Sequence, residues 1–325
     1  MREHGSELVD PYYNSQYRRI HEKRKYGDSG IEFLPEAVLY FLNGVATGHI
    51  RIEKDRPVTI IDYGCGQSAM GKGLEVVLSP VVAAVQSGEV VEADIYGLYS
   101  LTANNLCDVM KNTYFLSHMP PSCFGTIEVT RYDPAIQKYS ATPEGPYDYV
   151  VCTDVVEHLP EKKRDEYKKT VLRANIEKID ALSNALYINA SCRDAVNALP
   201  NGSSAHCTIK SALEWKTCFS NNFVASLSPV LSRDLTSCSF TKGKVLPLTK
   251  DLAYKFIDLF GAIDLIPYPP QEDMPSIEKL QRLSFLQNSK QQVIADNILY
   301  WKQCDPTAST RPEFGRLVEA LQKTM

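Results

Sequence analysis

Apolar and β-branched residues along this chain fall into short runs, and several of the runs stop at an acidic residue. Val58-Thr-Ile-Ile ends at Asp62, Thr126–Tyr132 at Asp133, and Tyr147–Thr153 at Asp154. Short, near-continuous apolar runs predict strands buried on both faces, the pattern of a parallel sheet. Further strands are expected at Ala185–Ala190, Val224–Leu231 and Ser237–Thr241, and another at Val90–Ile95, which carries Glu92 and Asp94 near its end. Between them lie stretches of helical spacing: Phe33–Phe41, a segment within 68–87, Tyr99–Phe115 (broken by Met119-Pro-Pro-Ser122) and the charged Glu161–Ala181. Strands separated by helices predict an α/β fold with a doubly wound, mostly parallel sheet of seven strands, the last two pairing antiparallel at one edge. Residues 1–57 read as a helical lead-in and 58–246 as the main domain. Residues 247–325 read as a helical C-terminal extension, entered through a turn carrying Pro267, Pro269, Pro270 and Pro275.

The composition is ordinary for a soluble globular protein: of 325 residues, 44% are apolar and 23% charged. A net charge of −4 gives the whole molecule no electrostatic grip on a nucleic-acid backbone. Locally, Arg18, Arg19, His21, Lys23, Arg24 and Lys25 form a basic cluster interleaved with Tyr17 and Tyr26, which reads first as a solvated helix face. No run reaches the length of a membrane span, and the N-terminus lacks the apolar core of a secretory signal. Nine cysteines without a Cys-x-x-Cys pair, several of them in expected core strands, read as buried reduced thiols in a cytoplasmic protein.

Chemistry enters at Asp62-Tyr-Gly-Cys-Gly66. Two glycines after a strand let the backbone turn tightly and approach a ligand. The turn lacks the third glycine of a dinucleotide fingerprint and the Lys-Ser/Thr of a P-loop, which points away from NAD and ATP. Asp154-x-x-Glu157-His158 has the spacing that puts three functional groups on one helix face.

With these pieces together, the chain resembles the class I S-adenosylmethionine-dependent methyltransferases. Ile61-Asp-Tyr-Gly-Cys-Gly66, Tyr132-Asp-Pro-Ala-Ile136 and Tyr147-Asp-Tyr-Val-Val-Cys-Thr-Asp-Val-Val-Glu-His-Leu159 carry the likeness. With Leu199-Pro-Asn-Gly and Ala205-His206, they are similar to a subset associated with phages and prophages. The likeness spans residues 10 to about 225. It implies a Rossmann-like fold and S-adenosylmethionine bound by Asp62, Tyr63, Gly64, Cys65, Gly66, Asp133, Pro134, Thr153 and Asp154. Two placements of the cofactor ribose stay open. The Asp-Pro-Ala-Ile motif gives it to Asp133 and makes residues 73–126 an insertion, whereas ordinary spacing gives it to Asp94 or Glu92.

The resemblance also bears on the acceptor. Thr153-Asp-Val-Val156 is neither the Asp/Asn-Pro-Pro-aromatic of DNA amino-methyltransferases nor a Pro-Cys nucleophile pair, so methylation of a DNA base is not expected. Glu-x-x-Glu-His stretches bind a divalent ion in ubiquinone-pathway O-methyltransferases and in small-RNA 2′-O-methyltransferases, and the latter add a downstream His. By that likeness Asp154, Glu157, His158 and His206 form a candidate site for Mg²⁺, Mn²⁺ or Zn²⁺; the departure is Asp for the first Glu. Without an ion, His158 with Glu157 would act on the acceptor proton. The expected activity is O-methylation of a small-molecule or nucleotide-derived acceptor. An RNA ribose 2′-hydroxyl is the alternative acceptor, and a non-catalytic cofactor-binding subunit the second alternative. Oligomeric state is left open.

Overall fold

The structure, a computed structural model, describes residues 11–23, 29–111, 125–161, 170–195, 197–222, 228–230, 237–242, 290–304, 309 and 312–323. Six strands form one sheet: β1 (Val58–Tyr63), β2 (Ile127–Tyr132), β3 (Tyr149–Thr153), β4 (Leu186–Ser191), β5 (Ser228–Val230) and β6 (Ser237–Lys242). Their order is β2-β1-β3-β4-β6-β5. The first four run parallel, and β6 pairs antiparallel with both β4 and β5, giving the expected antiparallel edge.

Each central strand is buried on both faces because helices cover both. On one face Val58, Ile60, Tyr149 and Val151 pack with α2 (Leu34–Ala46), α3 (Ala69–Ser87) and α4 (Ile95–Lys111). On the other, Ile61, Val150, Cys152 and Ile188 pack with α5 (Val171–Leu182), α6 (Ala212–Asn222), α7 (Lys290–Cys304) and α8 (Pro312–Gln322). Ile298, Phe314 and Val318 share that core with Trp215 and Phe240, so the described C-terminal helices pack on this face of the sheet. Helix α3 is long and apolar enough to cross a membrane by length and composition. Here its Leu74, Val77, Leu78, Val81 and Val82 are fully buried in the first core.

The described residues hold six strands where seven were expected, and the difference lies at Val90–Ile95. Gly88, in the left-handed conformation at φ 80°, ends α3, and the chain turns directly into α4. Asp94 Oδ1 accepts the Gly97 N–H at 3.0 Å, so the acidic residue read as a strand end caps a helix start. Val91 is 69% exposed and has no sheet to enter. Other expectations fall outside the described residues: the Met119–Ser122 break, residues 162–169, Arg24, Lys25 and Tyr26, residues 224–227 and 231 of the expected 224–231 strand, and the segment 243–289.

The strand order reverses between β1 and β3: the chain goes from β1 to β2 through α3 and α4, then returns past β1 to β3. Crossovers diverging from neighbouring strands leave a crevice beyond their carboxyl ends, the usual ligand position in open α/β sheets. Register places the three strand-end acids there, since Tyr63 sits opposite Tyr132 and Asp62 opposite Val151.

Candidate functional site

The turn after β1 is built around Gly64. Its N–H and that of Cys65 both donate to the Tyr132 carbonyl, at 2.7 and 3.0 Å, which ties the turn to the end of β2. Gly64 has φ 79°, and a Cβ there would lie 2.3 Å from Val155 Cγ2, so both the conformation and the close approach require glycine. Gly66 N–H then donates to Asp133 Oδ2 at 3.1 Å, while Ala135 N–H donates to Oδ1 at 2.8 Å. Burial raises the Asp133 carboxyl against these hydrogen bonds and the charge of His21. The Ile136 N–H also bears on this carboxyl, whose two oxygens together still have acceptor capacity for a ligand in the cleft.

A cleft of about 790 Å³, open at its mouth, lies over this turn. Asn14, Tyr17 and His21 line one wall; Gly64, Asp133 and His158 lie among the residues of the rest. A smaller recess of about 300 Å³ is lined by Ser29, Asp62, Cys65, Met70 and Thr153, and it shares Gly64 and Asp154 with the cleft. Tyr63, Gly66 and Pro134 line the cleft, so all nine residues expected at the cofactor meet at these two spaces. Glu92 and Asp94 line neither: Glu92 accepts the Ile52 N–H at 3.4 Å, and Asp94 is the α4 cap.

Asp62 is 2% exposed, and its Oδ2 accepts the Gly71 N–H at 2.9 Å. Burial pushes its carboxyl up to about 7, opposed by that hydrogen bond and the charge of Arg131. A folded carboxyl that holds its proton to about 7, against an ordinary 3.8, contributes stability that is complete below the ordinary value and lost as pH rises through 7. Asp62→Asn keeps an acceptor for Gly71 and removes the titration. Urea unfolding between pH 4 and 8 should therefore show a flatter pH dependence in the variant than in the parent; equal slopes would contradict the buried, proton-holding Asp62.

The second part of the site follows β3. Asp154 takes a left-handed conformation at φ 58°, uncommon without a glycine, and a short 3₁₀ turn at Val156–His158 comes next. Backbone bonds then pull in a distant loop. The Glu157 carbonyl accepts the Cys207 and Thr208 N–H groups at 3.0 and 2.9 Å, and the Thr208 hydroxyl donates to the Leu159 carbonyl at 2.7 Å. This staple holds His206 beside His158, ring centroids 4.8 Å apart.

One donor atom each from Asp154, Glu157, His158 and His206 lies within 4.8 Å of all the others. Glu157 is fully buried; its Oε1 accepts the Ser191 N–H at 2.9 Å, whereas Oε2 is buried with no hydrogen-bond partner. A protonated Glu157 satisfies that oxygen by hydrogen-bonding the Asp154 carboxylate, and a cation between the two carboxyls would satisfy it as well. Both imidazoles are oriented alike. His158 Nδ1 lies 2.8 Å from the Ala205 carbonyl, and His206 Nδ1 lies 2.7 Å from the Arg193 carbonyl. A carbonyl only accepts, so each Nδ1 carries the hydrogen and each Nε2 keeps its lone pair, the arrangement of a supported metal ligand.

The charges in the cluster are unequal. Burial, then the charge of Asp154, drive Glu157 well above the usual carboxyl range. Burial would raise Asp154 too, but the adjacent Glu157 carboxyl, His158, Ser29 and His206 hold it below its ordinary value. Burial lowers His158, which favours the neutral ring. A neutral imidazole and a paired carboxylate suit either proton acceptance or cation binding.

Several site residues escaped sequence reasoning: Asn14 and Tyr17 on α1 (Pro11–Lys23), Ser29, whose hydroxyl donates to Asp154 Oδ2, and Asn175, which accepts the Tyr63 hydroxyl at 2.6 Å. Asn14, Tyr17 and His21 are spaced three and four apart, a one-face helical signal hidden within the basic cluster. No family model matches this chain, and no curated protein matches it in sequence.

Proposed function

We propose that the chain is a Rossmann-like class I S-adenosylmethionine-dependent methyltransferase that methylates an oxygen of a small-molecule or nucleotide-derived acceptor. The observation that carries this reading is the convergence of three strand-end carboxylates, Asp62, Asp133 and Asp154, on one cleft floored by a glycine turn. Asp133 retains acceptor positions for the two vicinal ribose hydroxyls, and the Tyr63–Tyr132 side of the cleft offers apolar surface for an adenine. The polar recess between Asp62 and Thr153 suits the amino-acid end of the cofactor. The sulfonium would then sit near Asp154, with the acceptor beside His158. Methyl transfer is an in-line displacement, so the protein's work is alignment and removal of the acceptor proton. His158, whose neutral form burial favours, would take that proton on Nε2.

The four donors also fit a divalent ion, and two imidazoles with two carboxylates favour Zn²⁺ or Mn²⁺ over Mg²⁺. When bound, such an ion supplies Lewis acidity that lowers the pKa of an acceptor hydroxyl. Glu157 Oε2, Asp154 and the two Nε2 atoms would hold it, with Ser191, Ala205 and Arg193 fixing their orientation. A second reading, an RNA ribose 2′-hydroxyl as acceptor, is favoured by one feature: Arg18 and Arg19 are exposed on the same helix that lines the cleft.

Transfer of a tritiated methyl group to small-molecule, nucleotide, RNA and DNA pools tests both readings. Label should enter an oxygen of a small or nucleotide acceptor and not a DNA base. His158→Ala should lower that transfer by about 100-fold, the scale of a lost general base. Full activity after exhaustive chelation would eliminate the metal-assisted route, and labelling of no pool would count against the function itself.

A further inference from the structure

Helix α1 touches the site at both ends. Tyr17 donates its hydroxyl proton to the Ala205 carbonyl, and its oxygen lies 2.8 Å from His158 Nδ1, with the two rings edge to face at 5.3 Å. One turn further on, His21 Nδ1 lies 3.5 Å from Gln67 Nε2 in the glycine turn, and its charge acts on Asp133. Asn14, one turn before Tyr17, presents to the same cleft a buried Oδ1 that has no hydrogen-bond partner. The helix therefore spans from the acceptor side to the ribose side.

What seats α1 is distinct from what seats the other helices. Its buried Ile20 packs with Leu199 and Ala205 in a small cluster separate from the two main cores, with Tyr17 against it. Leu199 and Ala205 belong to the loop that carries His206. The wall of the cleft thus rests on the loop that supplies one cluster ligand, and it is latched to the imidazole that supplies another.

We propose that Tyr17 is a positioning residue for His158 and that, through α1, cation binding at Asp154–Glu157–His158–His206 and cofactor binding in the cleft favour each other. This rests on the reading of the two spaces given above. An ion drawing His158 and His206 together fixes the 199–206 loop, and that loop fixes the helix against which the cofactor packs. A cofactor filling the cleft holds α1 down and keeps the Tyr17 oxygen beside the His158 Nδ1–H. Coupling of this kind is reciprocal by necessity.

Calorimetric titration of the full chain measures it directly, with Mn²⁺ and S-adenosylhomocysteine each titrated alone and then in the presence of the other. Each ligand should tighten the other by about fivefold or more, and by the same factor in both directions. Tyr17→Phe should weaken Mn²⁺ binding roughly tenfold, the scale of a lost supporting contact, and abolish most of the coupling. It should also shift the visible absorption of bound Co²⁺ as the His158 ring reorients. Ile20→Ala, which loosens α1 without touching either ligand space, should reduce the coupling in the same way. Tight binding of both ligands with no mutual effect, or full coupling and an unchanged Co²⁺ spectrum in Tyr17→Phe, overturns this inference alone. Failure of the parent protein to take up Mn²⁺ removes the cation centre, and failure to take up S-adenosylhomocysteine removes the proposed function; either takes the inference with it.

Discussion

Asp133→Ala should raise the dissociation constant for S-adenosylmethionine by about 100-fold, whereas Asp94→Ala should leave it unchanged. Asp133 stands at the end of β2, 9% exposed and lining the cleft, with its oxygens accepting from the Gly66 and Ala135 N–H groups. Two hydrogen bonds from ribose hydroxyls to a carboxylate contribute about 3 kcal/mol together, which is the 100-fold expected. Alanine also strands the Gly66 N–H and loosens the glycine turn, so the loss is not confined to the ribose. Asp133→Asn retains one acceptor oxygen and should cost less, about tenfold. Asp94, by contrast, only caps α4, and its loss costs about 1 kcal/mol of stability with no change in affinity. Isothermal titration of the three variants checks the ranking. A larger effect at Asp94 than at Asp133 would overturn the placement of the ribose.

The second large effect is on stability. Gly64→Ala places a Cβ 2.3 Å from one methyl of Val155 and 2.8 Å from the other, at φ 79°. Overpacking of this severity costs about 3 kcal/mol, and the left-handed conformation adds about 1 kcal/mol for a residue with a Cβ. A loss of about 4 kcal/mol is a large share of the whole stability of a domain. Adding Val155→Ala should recover most of the steric part and leave the conformational part. Urea unfolding of both single variants and the double variant therefore gives a coupling of about 2 kcal/mol. Additive single effects would mean that the turn and the Asp154–Val155 segment do not meet as described.

These two residues also show what could be read from the chain itself. Gly64 and Asp133 were legible because the sheet is local in sequence at its strand ends: an apolar run, an acid and a tight turn mark the ligand edge without any tertiary information. The strands 58–63, 127–132, 149–153 and 186–191 fell where the apolar runs put them. Val90–Ile95 did not, because two valines followed by acids carry the same pattern as a strand end. Gly88 before it and the Asp94-to-Gly97 spacing were the signs of a helix stop and a helix cap. Burial decided the case, and burial of Val91 depended on a neighbour that the fold does not provide.

The site divides in the same way. Asp154, Glu157 and His158 are close in sequence, and their meeting follows from one short turn. His206 was named by the resemblance and not by any local mark, since what brings it in is a long-range pairing of residues 205–208 with 157–159. Asn14 and Tyr17 come from a helix whose exposed face, with Arg18 and Arg19, masked its other side. Which face of a short polar helix is covered depends on what it lands on, here the Leu199–Ala205 loop.

The most direct test is whether the folded protein takes up the demethylated cofactor. Calorimetry of the purified chain with S-adenosylhomocysteine should show saturable binding at one site per chain with a micromolar dissociation constant, weakened about 100-fold in Asp133→Ala. No detectable uptake at millimolar ligand by protein that unfolds cooperatively would contradict the account.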